Sequence, residues 1–170
     1  FLTYPTLVHS GGEADATAGY LAVERGEDTL AVKLCTRAIM SGELSAESLV
    51  ETYNNRGRGY DGLGQYDKAI ADYNKVTELD PTYIFAYNNR GNVFWILGQF
   101  DRAMADFNRA IQLNSHYESP YNGRGNVYLF QGEFSRALGE YNRAIQLNPH
   151  YASPYNGRGN VYLFQGEFSR

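Results

Sequence analysis

Glycines recur along this chain of 170 residues at intervals of 34 residues. The first set is Gly57, Gly91, Gly125 and Gly159, and a second set follows it by seven residues: Gly64, Gly98, Gly132 and Gly166. A period of about 34 residues is typical of arrays in which each repeat is a helix–turn–helix unit. Because one such unit cannot bury its apolar face alone, the period predicts an array that is stabilised by the stacking of neighbouring units.

Aromatic residues and alanines keep the same period. Alanine recurs at Ala69, Ala103 and Ala137. Aromatic residues recur at three positions of the unit: Tyr53, Tyr87, Tyr121 and Tyr155; Tyr60, Phe94, Tyr128 and Tyr162; and Tyr73, Phe107 and Tyr141. Since most of the tyrosines occupy these in-phase positions, we interpret them as packing residues rather than as an aromatic binding stripe.

These residues resemble the tetratricopeptide repeat (TPR) family, whose pattern of aromatic, glycine, aromatic, alanine, aromatic, alanine and proline is met at nearly every position. The departure is an arginine before the first glycine, where the family usually has leucine: Arg56, Arg90, Arg124 and Arg158. The resemblance implies an all-α fold, a right-handed α-α superhelix of helix–turn–helix repeats. The segments YNNRG and LGQYDKAIADY are similar to those of bacterial members of the family.

The period also divides the chain. We predict an N-terminal extension at 1–11, a degenerate first helix pair with a longer loop at 12–49, complete repeats at 50–83, 84–117 and 118–151, and the first helix of a truncated repeat at 152–170. Segments 108–136 and 142–170 differ only at Ser115/Pro149 and Glu118/Ala152, which indicates a recent duplication. The unfinished last repeat suggests a fragment of a longer array.

Two local features of the repeat predict contacts. Ser119 and Pro120 are typical of an N-cap and a first helical turn. An acidic residue recurs sixteen residues after each of the first three repeated arginines: Asp72, Asp106 and Glu140. We favour ion pairs between them, since arginine suits bidentate pairing with carboxylates. The alternative is a row of arginines that binds anions, and Arg158 would pair with Glu140 or stay free.

In the family, the first helix of each repeat lines a concave groove that holds a peptide. The resemblance implies two rows of groove residues: Asn54, Asn88, Asn122 and Asn156, and then Arg58, Asn92, Asn126 and Asn160. Apolar groove residues follow at Phe85, Trp95 and Leu129, and Ile96, Phe130 and Phe164 stand near them. Asparagine amides both donate and accept, so they can bind a peptide backbone without reading its side chains. Alternatively, they cap turns or are tolerated on a wet surface.

The two rows are unlike the carboxylate clamp of chaperone-binding members, because that clamp needs lysine and arginine beside asparagine. Arg58 is the only basic residue in the two rows, which disfavours an acidic C-terminal peptide as the ligand. The formal net charge of −4 and the lack of a basic run disfavour nucleic acid and anionic membranes as main partners. No apolar stretch approaches the roughly 20 residues of a membrane span.

Nothing in the sequence indicates catalysis, a metal or a cofactor. His116 and His150 are one repeat apart, too far to share a metal ion. Cys35 lies at a packing position, which favours a structural thiol. We therefore predict a non-enzymatic scaffold that binds proteins or peptides. The alternative is a homo-oligomer formed through 152–170, and the compartment stays open between cytoplasm and export to the periplasm.

Overall fold

The computed structural model describes residues 11–166, and these form nine helices. The helices are α1 (Gly11–Glu24), α2 (Asp28–Ser41), α3 (Ala46–Gly62), α4 (Tyr66–Leu79), α5 (Ile84–Ile96), α6 (Phe100–Leu113), α7 (Ser119–Phe130), α8 (Phe134–Leu147) and α9 (Ala152–Phe164). Successive helices pair as helix–turn–helix repeats, which confirms the predicted fold class. Helices α1 to α4 belong to one compact unit, which ends at Pro81, and α5 to α9 belong to a second, which begins at Thr82.

Some of the predicted repeat boundaries fall between helices and others fall inside a helix. The boundaries at 83/84, 117/118 and 151/152 fall between helices, whereas the boundary at 49/50 falls inside α3. Helix α3 begins early because the Ser45 hydroxyl caps it, accepting a hydrogen bond of 3.0 Å from the Ser48 N–H. The predicted cap at Ser119 is wrong: Ser119 is already helical, Glu118 is the N-cap, and no side chain caps the helix.

The second set of glycines ends the first helix of each pair. Gly98 has a φ of +70°, a left-handed conformation that favours glycine. Its N–H donates to the Trp95 carbonyl, and the next N–H, of Gln99, donates to the Phe94 carbonyl at 2.8 Å. These bonds satisfy carbonyls that the end of the helix would otherwise leave free. Gly64 has the same conformation in the first unit.

The first set of glycines lets an aromatic ring lie against the helix backbone. The Phe107 ring is fully buried, and a Cβ on Gly91 or on Gly123 would lie 2.8 or 2.4 Å from it. In the first unit, a Cβ on Gly57 would lie 2.7 Å from the ring of buried Tyr73. The recurring glycines and aromatics of the sequence are therefore two halves of one packing contact.

Candidate functional site

The second unit carries an apolar cleft of about 510 Å³. Its volume is in the range of about 300–1,000 Å³ that is common for ligand sites. The residues that line it come from α5, α7 and α9, each the first helix of its repeat, and from the turn before α8 and the start of α8. They are Trp95, Asn126, Leu129, Phe130, Gly132, Phe134, Asn160 and Phe164.

Two phenylalanines of the cleft are held in place without being buried. Phe130 and Phe164, at the ends of α7 and α9, are each 71% exposed. The Phe164 ring stacks on Phe134 with centroids 6.4 Å apart, and the Phe130 ring lies 4.8 Å from that of Phe100. Such aromatic pairs stabilise the positions of both rings. Clustered exposed apolar side chains are typical of interaction surfaces, which makes this one a candidate binding site.

A second cleft of about 400 Å³ adjoins the first and shares Trp95 and Phe130 with it. Ile96, Gly98 and Phe100 complete its lining. The apolar surface continues from one repeat to the next because Ile96 and Phe130 hold the same repeat position. The Trp95 indole N–H is buried and has no hydrogen-bond partner among the described residues.

The second row of predicted amides contributes two residues to the cleft. Asn126 Oδ1 accepts a hydrogen bond of 2.8 Å from the Tyr141 hydroxyl, which fixes the amide. Burial raises the pKa of Tyr141 to about 12, so the phenol stays protonated and keeps donating at neutral pH. Asn160 is exposed. Asn92 is half-buried and lies outside the lining of both clefts. One repeat before Tyr141 the chain has Phe107, whose ring has no hydroxyl to donate to Asn92.

The first row of amides is buried, which differs from the expectation that it meets a ligand directly. Asn54, Asn88 and Asn122 are between 4% and 8% exposed, and only the last member, Asn156, is exposed. The Oδ1 atoms of Asn88 and Asn122 have no hydrogen-bond partner within residues 11–166. In the present geometry, the amides that a ligand could touch are therefore Asn156 of the first row and the members of the second row that are not buried.

The first unit presents polar groups where the second unit is apolar. At the repeat positions of Trp95 and Ile96 it has Asp61 and Gly62. Burial, with a smaller effect of nearby Asp28, raises the pKa of the Asp61 carboxyl. The predicted groove residue Arg58 donates to Glu24 at 2.9 Å, so its charge is already paired.

Phe85, another predicted groove residue, lies in the second unit but outside both clefts. Its ring is 46% exposed and packs edge-on against Tyr83 and Tyr117, with centroids 5.6 Å away in each case. The structure thus brings Trp95, Leu129 and two amides together and leaves Phe85 apart from them. Phe130 and Phe164, which stand at one repeat position beside the predicted groove rows, join this set in the cleft.

The predicted arginine–carboxylate pairs are confirmed. Each joins the first helix of a repeat to its second helix with two or more hydrogen bonds of 2.6–3.1 Å: Arg56 with Asp72, Arg90 with Asp106, and Arg124 with Glu140. This pairing neutralises the arginines and argues against a row that binds anions. Arg158 differs, because its Nε is buried and has no partner among the residues that the structure describes.

Metal-ligand clusters and a reactive thiol are absent from the described residues. No group of three histidine, cysteine, aspartate or glutamate side chains there could hold a metal ion. Cys35 is fully buried, and burial raises the pKa of its thiol to about 11, which keeps it protonated and unreactive. Within residues 11–166, every helix is too short or too polar to cross a membrane.

Two models of the tetratricopeptide repeat match the sequence. The model described as TPR repeat matches residues 62–98 and 125–166, and the model described as Tetratricopeptide repeat matches residues 84–117. Together they cover more than half of the chain. The chain belongs to the tetratricopeptide repeat family. Members of this family are typically non-enzymatic scaffolds.

Solved structures of TPR proteins share the fold. MamA is 25% identical over 92% of this chain and 83% of its own, with a TM-score of 0.72. The first TPR domain of Spaghetti (RPAP3), solved with the HSP90 peptide SRMEEVD, is 26% identical over 69% of this chain and 93% of its own, with a TM-score of 0.64. A TPR protein from Parabacteroides merdae is 22% identical over 92% of this chain and 59% of its own, with a TM-score of 0.76. No curated protein matches the sequence.

Proposed function

We propose that this TPR protein is a non-enzymatic scaffold that binds a peptide segment of another protein in the apolar cleft of its second unit. The observation that carries the proposal is the cleft of about 510 Å³, in which two fixed but exposed phenylalanines lie beside two amides of the predicted groove. The RPAP3 domain, which has the same fold, was solved with a bound peptide, and this supports a peptide as the class of ligand.

The lining of the cleft determines which peptide fits. A leucine, methionine or phenylalanine side chain of the ligand would lie between Trp95, Leu129 and Phe130. Full burial of such a side chain stabilises a complex by about 1.5–3 kcal/mol. Asn126 and Asn160 would hydrogen-bond the peptide backbone beside it, which fixes the orientation of the segment without selecting its other side chains.

Charge separates this ligand from the one that RPAP3 binds. The described residues that line the cleft are all uncharged, so an acidic side chain placed there would lose its hydration without gaining a cation. Arg58, the basic residue of the predicted rows, is held by Glu24 in the first unit. We therefore propose a neutral, apolar segment, in contrast to the acidic SRMEEVD.

A panel of fluorescein-labelled heptapeptides tests the proposal by fluorescence anisotropy. The panel holds neutral sequences with leucine or phenylalanine at the centre, matched sequences with alanine there, and SRMEEVD. We expect the apolar peptides to bind, and Phe130→Ala or Phe164→Ala to weaken them by about tenfold, since each removes one apolar wall. Met40→Ala is the matched control, because Met40 is 80% exposed and lies in the first unit.

Preference for SRMEEVD, or equal binding by the Phe130→Ala variant and the parent chain, would overturn the proposal. The phenylalanine substitutions remove side chains that are mostly exposed, so both variants are expected to keep the parent's helical circular dichroism. That measurement separates a lost contact from a lost fold.

A further inference from the structure

The first unit has a carboxylate where the second unit has a pair of aromatic rings. In the second unit, the ring of Phe100 contacts Phe130 of the next repeat, with centroids 4.8 Å apart. Counted from the turn glycines, the corresponding residues of the first unit are Asp28 and Gly62. A Cβ on Gly62 would lie 2.7 Å from Asp28 Oδ1. The glycine therefore lets the Asp28 carboxylate lie against the backbone at the end of α3.

This position brings Asp28 close to a second carboxylate, that of Asp61, which directly precedes Gly62. Both aspartates are half-buried, and neither carboxylate has a hydrogen bond or an ion pair with a described residue. Burial, and next the charge of Asp28, raises the pKa of Asp61. Arg58 supplies no counter-charge, because it is paired with Glu24 at 2.9 Å. Two neighbouring carboxylates in this state are stabilised by a cation placed between them.

A buried hydroxyl without a partner lies on the same side of α3. Tyr73 is fully buried, and its hydroxyl has no hydrogen-bond partner within residues 11–166. The equivalent hydroxyl of Tyr141 reaches Asn126, and the residue equivalent to Asn126 in the first unit is Arg58, three residues before Asp61. Burial, and then the charge of Asp61, raises the pKa of the Tyr73 phenol, which keeps it protonated. Because a buried hydroxyl without a partner destabilises a fold, packing alone does not account for it.

We propose that Asp28 and Asp61 bind the guanidinium group of an arginine in a peptide segment of a partner protein. The planar fork of guanidinium donors suits two neighbouring carboxylates. Tyr73 is a positioning residue, whose hydroxyl donates to the Asp61 carboxylate once the bound cation keeps that carboxylate charged. Charge complementarity supports a basic partner, because residues 11–81 include 13 acidic and 7 basic residues, a formal charge of −6. The site uses no residue of the apolar cleft, so it does not depend on the ligand proposed above.

The probe is a fluorescein-labelled heptapeptide of glycine and serine with one arginine at its centre. Its matched control carries citrulline there, which keeps the shape of arginine and lacks its charge. Fluorescence anisotropy measures the binding of both peptides to the full chain at low ionic strength, where charge pairs are least screened. We expect saturable binding of the arginine peptide, and binding of the citrulline peptide that is about tenfold weaker.

Substitutions in the chain locate the binding site. Asp61→Asn and Asp28→Asn should each weaken binding by about tenfold, and Tyr73→Phe by about fivefold. Glu51→Gln is the matched control, because it removes the same charge from an exposed position of α3, about 15 Å along the helix from Asp61. Glu51→Gln and the cleft variant Phe130→Ala should leave binding unchanged. Asp61→Asn and Tyr73→Phe should unfold at no lower a urea concentration than the parent, so their lost binding is not lost folding.

Gly62→Ala separates a specific site from a general attraction between an acidic unit and arginine. It keeps every charge, but its Cβ would displace the Asp28 carboxylate, so binding should weaken by about tenfold. Equal binding by the parent and Gly62→Ala, or by the arginine and citrulline peptides, would overturn the inference. A loss with Glu51→Gln as large as that with Asp61→Asn would do the same. Displacement of the peptide by Ca²⁺, beyond the effect of NaCl at equal ionic strength, would also overturn it and assign the two carboxylates to a metal ion.

Discussion

The contact between glycines and aromatic rings predicts that a glycine-to-alanine substitution has opposite effects on stability at Gly139 and at Gly123. Gly139, inside α8, has open space where a Cβ would be, so Gly139→Ala should stabilise the protein by about 1 kcal/mol through helix propensity alone. Gly123→Ala in α7 has the same gain, but its Cβ would lie 2.4, 2.5 and 2.8 Å from three carbons of the Phe107 ring. Ordinary carbon contacts are about 3.5–4.0 Å.

The Phe107 ring has little room to retreat, because Gly91 confines it from α5. Overpacking of this kind costs about 1–3 kcal/mol. Gly123→Ala should therefore be less stable than Gly139→Ala by about 1–3 kcal/mol. Both variants gain the same helix propensity, so this difference reports only the cost of overpacking. Equilibrium urea denaturation, followed by far-ultraviolet circular dichroism, measures both. Equal midpoints for the two variants would refute the packing argument.

Further substitutions at Tyr73, Tyr141, Arg56 and Asp61 test other parts of the fold by the same denaturation assay. Tyr73→Phe should raise stability, since the buried Tyr73 hydroxyl has no hydrogen-bond partner in the described protein, whereas Tyr141→Phe should lower it by about 1 kcal/mol through a lost hydrogen bond. Arg56→Gln should cost about 2 kcal/mol because it leaves the buried Asp72 carboxylate unpaired, and adding Asp72→Asn should restore part of that loss. Asp61→Asn should stabilise the protein at pH 7, with an advantage that shrinks as the pH falls towards 3. The pKa of Asp61 is raised in the folded state, so folding favours its protonated form. The protein with Asp61 therefore loses stability as the pH rises through that pKa, whereas the variant with asparagine does not.

The sequence predicted the parts of the structure that recur in phase. The turn glycines, the buried aromatics and the arginine–carboxylate pairs each depend on residue types at fixed offsets within one repeat. The period alone therefore predicts which of these residues contact each other. Glu140 replaces aspartate in the third pair and still reaches Arg124, because its longer side chain offers the same carboxylate.

The candidate site was less accessible to sequence analysis, because exposure depends on how the helices pack. Asn88 and Asn122 keep the period of the groove, yet the fold buries them. Phe130 and Phe164 stand beside the predicted groove rows, but their 71% exposure follows from the packing of the helices and not from the period. Periodicity identifies equivalent positions; it does not tell which of these positions the neighbouring helices cover.

The most direct test of the proposed function uses Trp95, which is the single tryptophan of the chain and lies in both clefts. The fluorescence of Trp95, excited at a wavelength where tyrosine does not absorb, should change saturably as a neutral apolar peptide is added. The midpoint of this change should equal the midpoint of binding measured by anisotropy. Binding by anisotropy that leaves the Trp95 emission unchanged would contradict the account, because the peptide would then occupy a surface other than the cleft.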